Sequence, residues 1–156
     1  MLKLTPQQVV LLTGLTEQTL RHWRVALPPL QGLNGHRPCF EPGDAMALLV
    51  LGHLVKNMGF TIASLTDIAI PLFHICRTTH WSELATHYLL VDTESGNIFT
   101  ISGAFELPTK PMLLLPMRQF FDHLQKAWGN WQLPVSQLSL NLESTLLDNS
   151  KAKVPA

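Results

Sequence analysis

The feature that most constrains this chain is the apolar segment at residues 44–58. After Asp44 it consists mainly of alanine, leucine, valine and methionine, and its first strongly polar side chains are His53 and Lys56. A helix that packs on one face only would place charged residues among the apolar ones. We therefore expect this helix to be covered on two sides. The preceding segment covers one side, and either the C-terminal half of the chain or a second subunit covers the other.

Signals for two short helices precede that segment. Thr5 can cap the first helix, Pro6 suits its first position, and Gln8 stands where a capping box needs it. Gly14 ends this helix, and Thr16 caps the second. A helix, a glycine turn and a second helix within about twenty residues follow the order of a helix-turn-helix motif.

The second helix carries a cluster of cationic residues, Arg21, His22 and Arg24, around Trp23. Arginine and glutamine can make paired hydrogen bonds to guanine and adenine edges. Threonine, histidine and tryptophan more often hold phosphate or sugar. Alone, such a cluster is more typical of an ordinary solvated helix face than of a DNA contact, so its interpretation depends on the segment that follows.

That segment predicts a basic hairpin. Prolines at residues 28–29 end the second helix, because proline lacks the amide that a helix needs. Asn34-Gly35 is a strong hairpin-turn signal, and Arg37 is predicted to lie on the short strand after it. A basic hairpin directly after a helix-turn-helix is typical of a wing that reaches the DNA backbone or a neighbouring groove.

The order of these motifs resembles the MerR family of winged helix-turn-helix regulators over roughly residues 4–68. The matching positions are residues 4–5, 9–10, 13–16, 19–23, 27–28, 34–37 and 40, and the match continues through Leu48, Leu51 and Leu54 to residues 58–62. The resemblance implies that Arg21 and His22 lie at the major groove, and that Trp23 and Arg37 approach the phosphate backbone. It also implies that a dimer bends or untwists a pseudo-palindromic DNA site.

Two positions depart from the family pattern. Arg24 stands where the family usually has an acidic residue, and nothing after Pro71 predicts the long antiparallel dimerisation helix of its activators. Excisionase-like and other phage or plasmid DNA-binding proteins share the winged head without that helix. An architectural or adaptor protein that recruits a partner through its C-terminal part is therefore the alternative to a transcriptional regulator.

The second half predicts a mixture of short helices and strands. Thr61 or Ser64 can cap a helix that Pro71 breaks, after which helix resumes. The period then changes to that of strands, with glycine in a hairpin turn. A final amphipathic helix has an aromatic and leucine stripe, interpreted as core or a dimer surface. These elements are predicted at residues 72–77 (helix), 81–85 (short helix or turn), 88–92 and 97–101 (hairpin), 113–115 (strand) and 117–128 (helix).

The expected fold is mostly α with small β elements. We expect an N-terminal MerR-like winged helix-turn-helix domain at residues 1–70, a small α+β lobe for dimerisation or sensing at residues 71–142, and a flexible tail at residues 143–156. An isolated hairpin is only marginally stable in water, so this one has to pair with another element. We expect a homodimer, because two recognition helices would compensate for few cationic contacts. A small-molecule effector is possible.

Composition limits the other classes of function. The formal net charge is zero, which counts against indiscriminate nucleic-acid binding, since that depends on many lysines and arginines. The two cysteines, Cys39 and Cys76, form no disulfide framework, and no signal segment or membrane span is predicted, so we expect a cytoplasmic protein. His74, Cys76 and His80 are close in sequence but lack an obvious fourth ligand, so no metal or other cofactor is predicted. No phosphate loop or nucleophile signature is present, and we expect no enzymatic activity.

The sequence therefore predicts a sequence-specific regulator that binds double-stranded DNA and has no membrane association. Its second helix would enter the major groove, with a basic wing on the backbone. The predicted DNA-binding residues are Thr16, Gln18, Thr19, Arg21, His22, Trp23, Arg24, His36, Arg37 and Lys56.

Overall fold

A computed structural model of the protein describes residues 2–129. Within that range the chain is mostly helical and has one small antiparallel sheet of three strands, as predicted. None of these helices is long and apolar enough to cross a membrane. The elements are α1 (Pro6–Thr13), α2 (Glu17–Ala26), α3 (Pro42–Met58), α4 (Thr66–Thr78), α5 (Trp81–Leu84), β1 (Tyr88–Asp92), β2 (Asn97–Ile101), β3 (Leu113–Pro116) and α6 (Arg118–Gly129), with 3-10 turns at Pro28–Leu30 and Ala63–Leu65.

The two N-terminal helices begin and end as the sequence predicts. The Thr5 hydroxyl accepts a hydrogen bond from the Gln8 amide at 3.2 Å, and the Gln8 side chain accepts one from the Thr5 amide at 2.8 Å. Gly14 ends α1 with a φ of 72°, a conformation that glycine adopts without strain. Thr16 caps α2 through the Thr19 amide at 3.1 Å. Two helices joined by a tight turn are thus confirmed.

Helix α3 is the centre of the structure and is covered on two sides, as expected. Helix α1 lies against one side, and α4 and α6 cover the rest, so the second cover comes from the same chain. Near the start of α3, a Cβ on Gly43 would overlap the carbonyl of Cys76 in α4. Only a residue without a side chain allows the two helices to approach this closely.

The prediction that Pro71 breaks the helix is wrong, because α4 runs through it from Thr66 to Thr78. A proline inside a helix costs about 3 kcal/mol, partly through the hydrogen bond that its nitrogen cannot donate. Burying one large apolar side chain gains about 1.5–3 kcal/mol. Leu72 and Phe73 directly follow the proline and are both buried, so tertiary packing outweighs the local cost.

The predicted hairpin, third strand and last helix are all present. The sheet order is β2-β1-β3, with Leu90 opposite Phe99 on one side and Leu114 on the other. Gly96 in the hairpin turn has a φ of 74°. The apolar stripe of α6 is buried, so its interpretation as core is confirmed.

The predicted wing hairpin is wrong. Residues 31–39 form a loop without paired strands, and Arg37 is not in a strand. An isolated bridge between Leu4 and Phe40 lies at the far end of this loop. Two features account for this: Pro38 has no amide to donate to a ladder, and the carbonyls of Leu33 and Gly35 accept from the Arg24 side chain of α2 instead. We call this segment the 31–39 loop.

The predicted domain boundary at residues 70 and 71 falls inside α4. Side chains from both sides of it contribute to one buried hydrophobic cluster, which extends from Leu4 to Trp128. The predicted tail at residues 143–156, and residues 130–142 of the predicted lobe, lie outside the described residues.

Candidate nucleic-acid interface

Helix α2 separates its side chains into a buried and an exposed face. Leu20 and Trp23 are 2% and 4% exposed, and they belong to the hydrophobic core. The opposite face is open to solvent, as the period of 3.6 residues per turn requires. Its exposed residues are Glu17, Gln18, Arg21, His22 and Val25. We call these five residues the exposed face of α2.

The expectation that Trp23 approaches the phosphate backbone is wrong. Its side chain is buried in the core, so it stabilises the position of α2 and cannot lie along a DNA strand. A buried indole contributes a large apolar area to folding, which explains its place on the inner face. The aromatic character of the residue is therefore used for packing.

Thr16 and Thr19 act locally at the start of α2. The Thr16 hydroxyl donates to the Thr19 hydroxyl at 2.8 Å and accepts from the Thr19 amide. Such a cap is worth about 0.5–2 kcal/mol to a helix. Thr16 is exposed and Thr19 half-buried, so both remain at the edge of the exposed face while they shape the helix start.

Arg24 connects α2 to the 31–39 loop. Its guanidinium donates to the carbonyl of Leu33 and, at 3.3 Å, to the carbonyl of Gly35, and it lies 5.4 Å from the ring centre of Phe40. These contacts direct Arg24 towards its own chain. The structure therefore gives this predicted DNA-binding residue an internal role, that of fixing the loop beside α2.

The 31–39 loop presents His36 and Arg37 to solvent. Its far end is anchored to the start of the chain, where the Cys39 amide donates to the Leu4 carbonyl at 3.0 Å and the Leu4 amide donates to the Phe40 carbonyl at 2.7 Å. Arg24 anchors its near end. Both predicted loop residues thus stand on a segment that is held at its two ends.

The arginines of the protein divide into two groups, and all five lie within residues 2–129. Arg24 binds loop carbonyls, Arg77 pairs with Asp44, and Arg118 pairs with Asp122 at 3.1 Å. In the described part of the chain, Arg21 and Arg37 are exposed and neither has a hydrogen bond or ion pair. These two guanidinium groups therefore keep all their donors for an external acceptor.

Two clefts flank the exposed face of α2. The loop-side cleft, of about 240 Å³, is lined by Arg21, Arg24 and His36 together with Glu17 and the first turn of α1. The α3-side cleft, of about 390 Å³, is lined by residues from α2 and α3. Its polar members are Gln18, Thr19, His22 and Lys56, and the Lys56 ammonium lies 3.5 Å from the Gly14 carbonyl.

Eight of the ten predicted residues line the two clefts beside α2, and Thr16 and Arg37 line neither. Arg37 is exposed on the loop but lines neither cleft, and Trp23 reaches the α3-side cleft only from the core. The helical period also exposes two residues that sequence analysis did not select, Glu17 and Val25. Val25 is 76% exposed, and it follows Arg21 by one turn and Gln18 by two. The spacing of four residues from Arg21 is the sequence signal that could have identified Val25.

His74, Cys76 and His80, which are close together in sequence, differ in their exposure. Cys76 is buried in the core, and this burial raises the pKa of its thiol. His74 and His80 are exposed. Across residues 2–129, no three histidine, cysteine, aspartate or glutamate side chains are grouped so that they could hold a metal ion.

Comparison with known proteins found no matching family model, no similar curated protein and no similar solved structure. The function of the exposed face of α2 is consequently inferred from the arrangement of α2, the 31–39 loop and the two clefts.

Proposed function

We propose that this protein is a cytoplasmic, sequence-specific regulator of transcription that binds double-stranded DNA with α2 in the major groove. The observation that carries the proposal is the pair of unpartnered arginines, Arg21 on α2 and Arg37 on the adjoining loop, within the described chain. The fold does not use their donors, and guanine edges and phosphates are acceptors that match a guanidinium group.

The shape of the surface supports this use. An α-helix with its side chains is about 10–12 Å wide, and the major groove of B-DNA is about 12 Å wide. Helix α2 stands between the loop-side and α3-side clefts, which leave room on both flanks for the walls of a groove. A helix without such free flanks could not enter as deeply.

The chemistry of the exposed face suggests which side chains read bases. Gln18, Arg21 and Val25 follow one another along the face at intervals of three and four residues. Glutamine can bind adenine, arginine can bind guanine, and a valine methyl can contact the methyl group of thymine. We propose these three residues as the base-reading set.

Cationic and imidazole side chains on both flanks suit contacts to phosphate. His22 and Lys56 lie on the α3 side, and His36 and Arg37 lie on the loop. Phosphate contacts fix the register of a protein on the duplex without reading sequence. With so few cations, one copy of the protein would bind DNA weakly, because each phosphate contact adds to the affinity through the release of a counterion.

The proposal therefore includes a homodimer that binds two half-sites about one helical turn apart. Two copies of the protein double the number of phosphate contacts and of base-reading side chains. A solution mass of twice 17.4 kDa would support this part of the proposal. A strict monomer at the concentrations used for DNA binding would contradict it.

The test is a selection of duplexes from a random pool with the full-length protein, followed by titration of the enriched duplex at several salt concentrations. We expect an enriched sequence with two related half-sites, and protection of a repeat upstream of the protein's own coding region. Enrichment without promoter protection would favour the architectural or adaptor role. No selective binding at any salt concentration would contradict the proposal. Arg118→Ala is the matched control, since it removes the same charge from α6.

A further inference from the structure

A third cleft, the α3–α6 cleft, lies where the turn after α1 meets α3 and α6. Its volume is about 240 Å³. None of the five residues of the exposed face of α2 lines it, and it shares Leu15, Gly52 and Lys56 with the α3-side cleft. Its lining also includes His53, Asn57, Gln119, Phe120 and His123.

The lining of the α3–α6 cleft has a one-sided electrostatic character. It includes the Lys56 ammonium, two imidazoles and two side-chain amides, and no carboxylate is among the residues that line it. Its apolar members are the Phe120 ring and the side chains of Leu15 and Leu49. A cation and hydrogen-bond donors beside an apolar wall match a molecule with one anionic end and one apolar end.

Several of these groups are held in place. The His123 ring donates from Nε2 to the Leu12 carbonyl at 3.1 Å, since a carbonyl can only accept. The His53 ring meets Phe120 edge-on, with centroids 5.4 Å apart and an interplanar angle of 80°. Fixed side chains lose less freedom when a ligand binds, so the cleft is suited to binding.

We propose that the α3–α6 cleft binds a small organic anion, with its acidic group at Lys56 and its apolar body against Phe120. Pockets for drug-sized ligands have volumes of about 300–1,000 Å³, so a cleft of this size fits a compact ligand with one ring or a short chain. The two amides of Asn57 and Gln119 supply further hydrogen-bond donors to the acidic group.

A ligand in the α3–α6 cleft would act on the proposed DNA-binding face through Lys56. The same ammonium lines the α3-side cleft beside Gln18 and His22, and it is proposed to contact phosphate there. An anion bound in the α3–α6 cleft neutralises this cation and weakens DNA binding. This second step rests on the proposed function, whereas the binding site itself does not.

The binding site is tested by titrating phenyl phosphate into the full-length protein by calorimetry, without DNA. We expect saturable binding, and Lys56→Gln should weaken it by about tenfold or more, as expected for the loss of a charge-assisted contact. Lys126→Gln, a matched loss of charge on α6 outside the cleft lining, should change the affinity by less than about twofold. Equal losses in the two variants, or no saturable binding at millimolar phenyl phosphate, would overturn the site.

Two further ligands test the chemistry of the proposed ligand. Inorganic phosphate should bind more weakly than phenyl phosphate, and benzyl alcohol should bind more weakly still. Equal affinity for inorganic and phenyl phosphate would overturn the role of the apolar wall. Equal affinity for benzyl alcohol would overturn the role of Lys56.

The effect on DNA is tested separately, by adding phenyl phosphate to the complex with the selected duplex. We expect it to lower the affinity of the wild type and to leave that of Lys56→Gln unaffected. Ligand binding without a change in DNA affinity would overturn the coupling and leave the site intact. Absence of any DNA binding would instead count against the proposed function, whatever the calorimetry shows.

Discussion

The junction of α3 and α4 and the exposed face of α2 both carry an arginine, and the two side chains are used in opposite ways. At the junction, Arg77 donates to Asp44 at 2.6 Å and to the Pro29 carbonyl at 3.1 Å, and its guanidinium carbon lies 5.4 Å from the Phe73 ring centre. On α2, Arg21 has no such contact within residues 2–129.

This difference separates charge that the fold uses from charge that it leaves free. Asp44 is buried, and burial raises the pKa of its carboxyl group although Arg77 opposes that shift. The junction thus carries a desolvated acid that depends on its partner. Arg21 has no comparable structural purpose, so its substitution should change binding and leave folding unaffected.

The largest expected effect is at the junction. Asp44→Ala leaves Arg77 without its carboxylate and removes the acceptor of the Glu41 amide. Breaking a buried ion pair costs about 3–5 kcal/mol, and because the Arg77 side chain is 31% exposed we expect a loss of about 2–3 kcal/mol in the free energy of unfolding. Urea denaturation measures it.

The control for this prediction is Asp122→Ala, which breaks the exposed pair with Arg118 on α6. An exposed pair at this spacing contributes about 0.3–0.5 kcal/mol, so the control should be close to wild type. If Asp44→Ala lowered the free energy of unfolding as little as Asp122→Ala, the Asp44–Arg77 pair would not stabilise the fold as we expect.

The next effect is expected on DNA binding. Arg21→Ala should weaken binding to the selected duplex by about 1–3 kcal/mol and relax selectivity at one base pair. Its free energy of unfolding should stay within about 0.5 kcal/mol of wild type. Fluorescence anisotropy with matched and single-mismatch duplexes measures both affinity and selectivity. A stable variant with full affinity and selectivity would show that Arg21 does not read a base.

Arg37→Ala should behave differently from Arg21→Ala. We propose Arg37 as a phosphate contact, so its loss should weaken binding to all sequences alike and reduce the salt slope by about one unit. Salt titrations of the two variants on the same duplexes measure this difference. Identical salt slopes and identical selectivity in the two variants would contradict the separate roles.

Asp92, beside the turn between β1 and β2, and Asp44, at the junction, should affect stability in opposite ways as the pH changes. Lys110 and the Ser95 hydroxyl both contact Asp92, and they lower the pKa of its carboxyl group. A lowered pKa gives stability that is present above the unfolded value, about 3.9, and is lost as the pH falls towards the folded pKa. The pKa of Asp44 is raised, so its effect on stability has the opposite pH dependence. The stability that Asp44 contributes is lost as the pH rises through its folded pKa.

We therefore expect Asp92→Asn to be less stable than wild type at neutral pH. The gap should narrow as the pH falls below about 4, because the Asp92 carboxylate of the unfolded chain then becomes protonated while the folded one, with its lowered pKa, stays ionised. Urea denaturation of both proteins across acidic pH measures the gap. A gap that stays constant with pH would contradict the assignment to the ionised carboxylate.

The smallest effect is expected at Glu17, the acidic residue of the loop-side cleft. Glu17→Gln removes a negative charge from the proposed interface, and we expect a gain of about two- to fivefold in affinity for all duplexes. Anisotropy at low salt is the most sensitive measurement. A loss of affinity would instead indicate that Glu17 contacts a base donor or orients a neighbouring side chain.

Local signals were sufficient for the parts of the fold that local chemistry determines. The capping box at Thr5, the left-handed Gly14 and the hairpin around Gly96 follow from residue types at fixed spacing, and all three are present. Pro71 could not be placed correctly, because packing of α4 against α3 decides its helix. The 31–39 loop was also misjudged, since its carbonyls are satisfied by Arg24 from another element.

The same limit applies to the candidate interface. Charge and spacing selected Arg21, Gln18 and His22, and these are exposed together on α2. Residue type alone could not show that Trp23 packs inwards or that Arg24 holds the loop, because both depend on which face of α2 meets the core. The helical period applied to Arg21 would have added Val25.

The central claim is that the exposed face of α2 contacts DNA, and its most direct test is an amide chemical-shift map of the full-length protein titrated with the selected duplex. We predict the largest shifts at residues 17–25 and 31–39 and at Lys56, with the sheet at residues 88–101 unchanged. Largest shifts in the sheet or on α6, or a titration without shifts on α2, would contradict the claim.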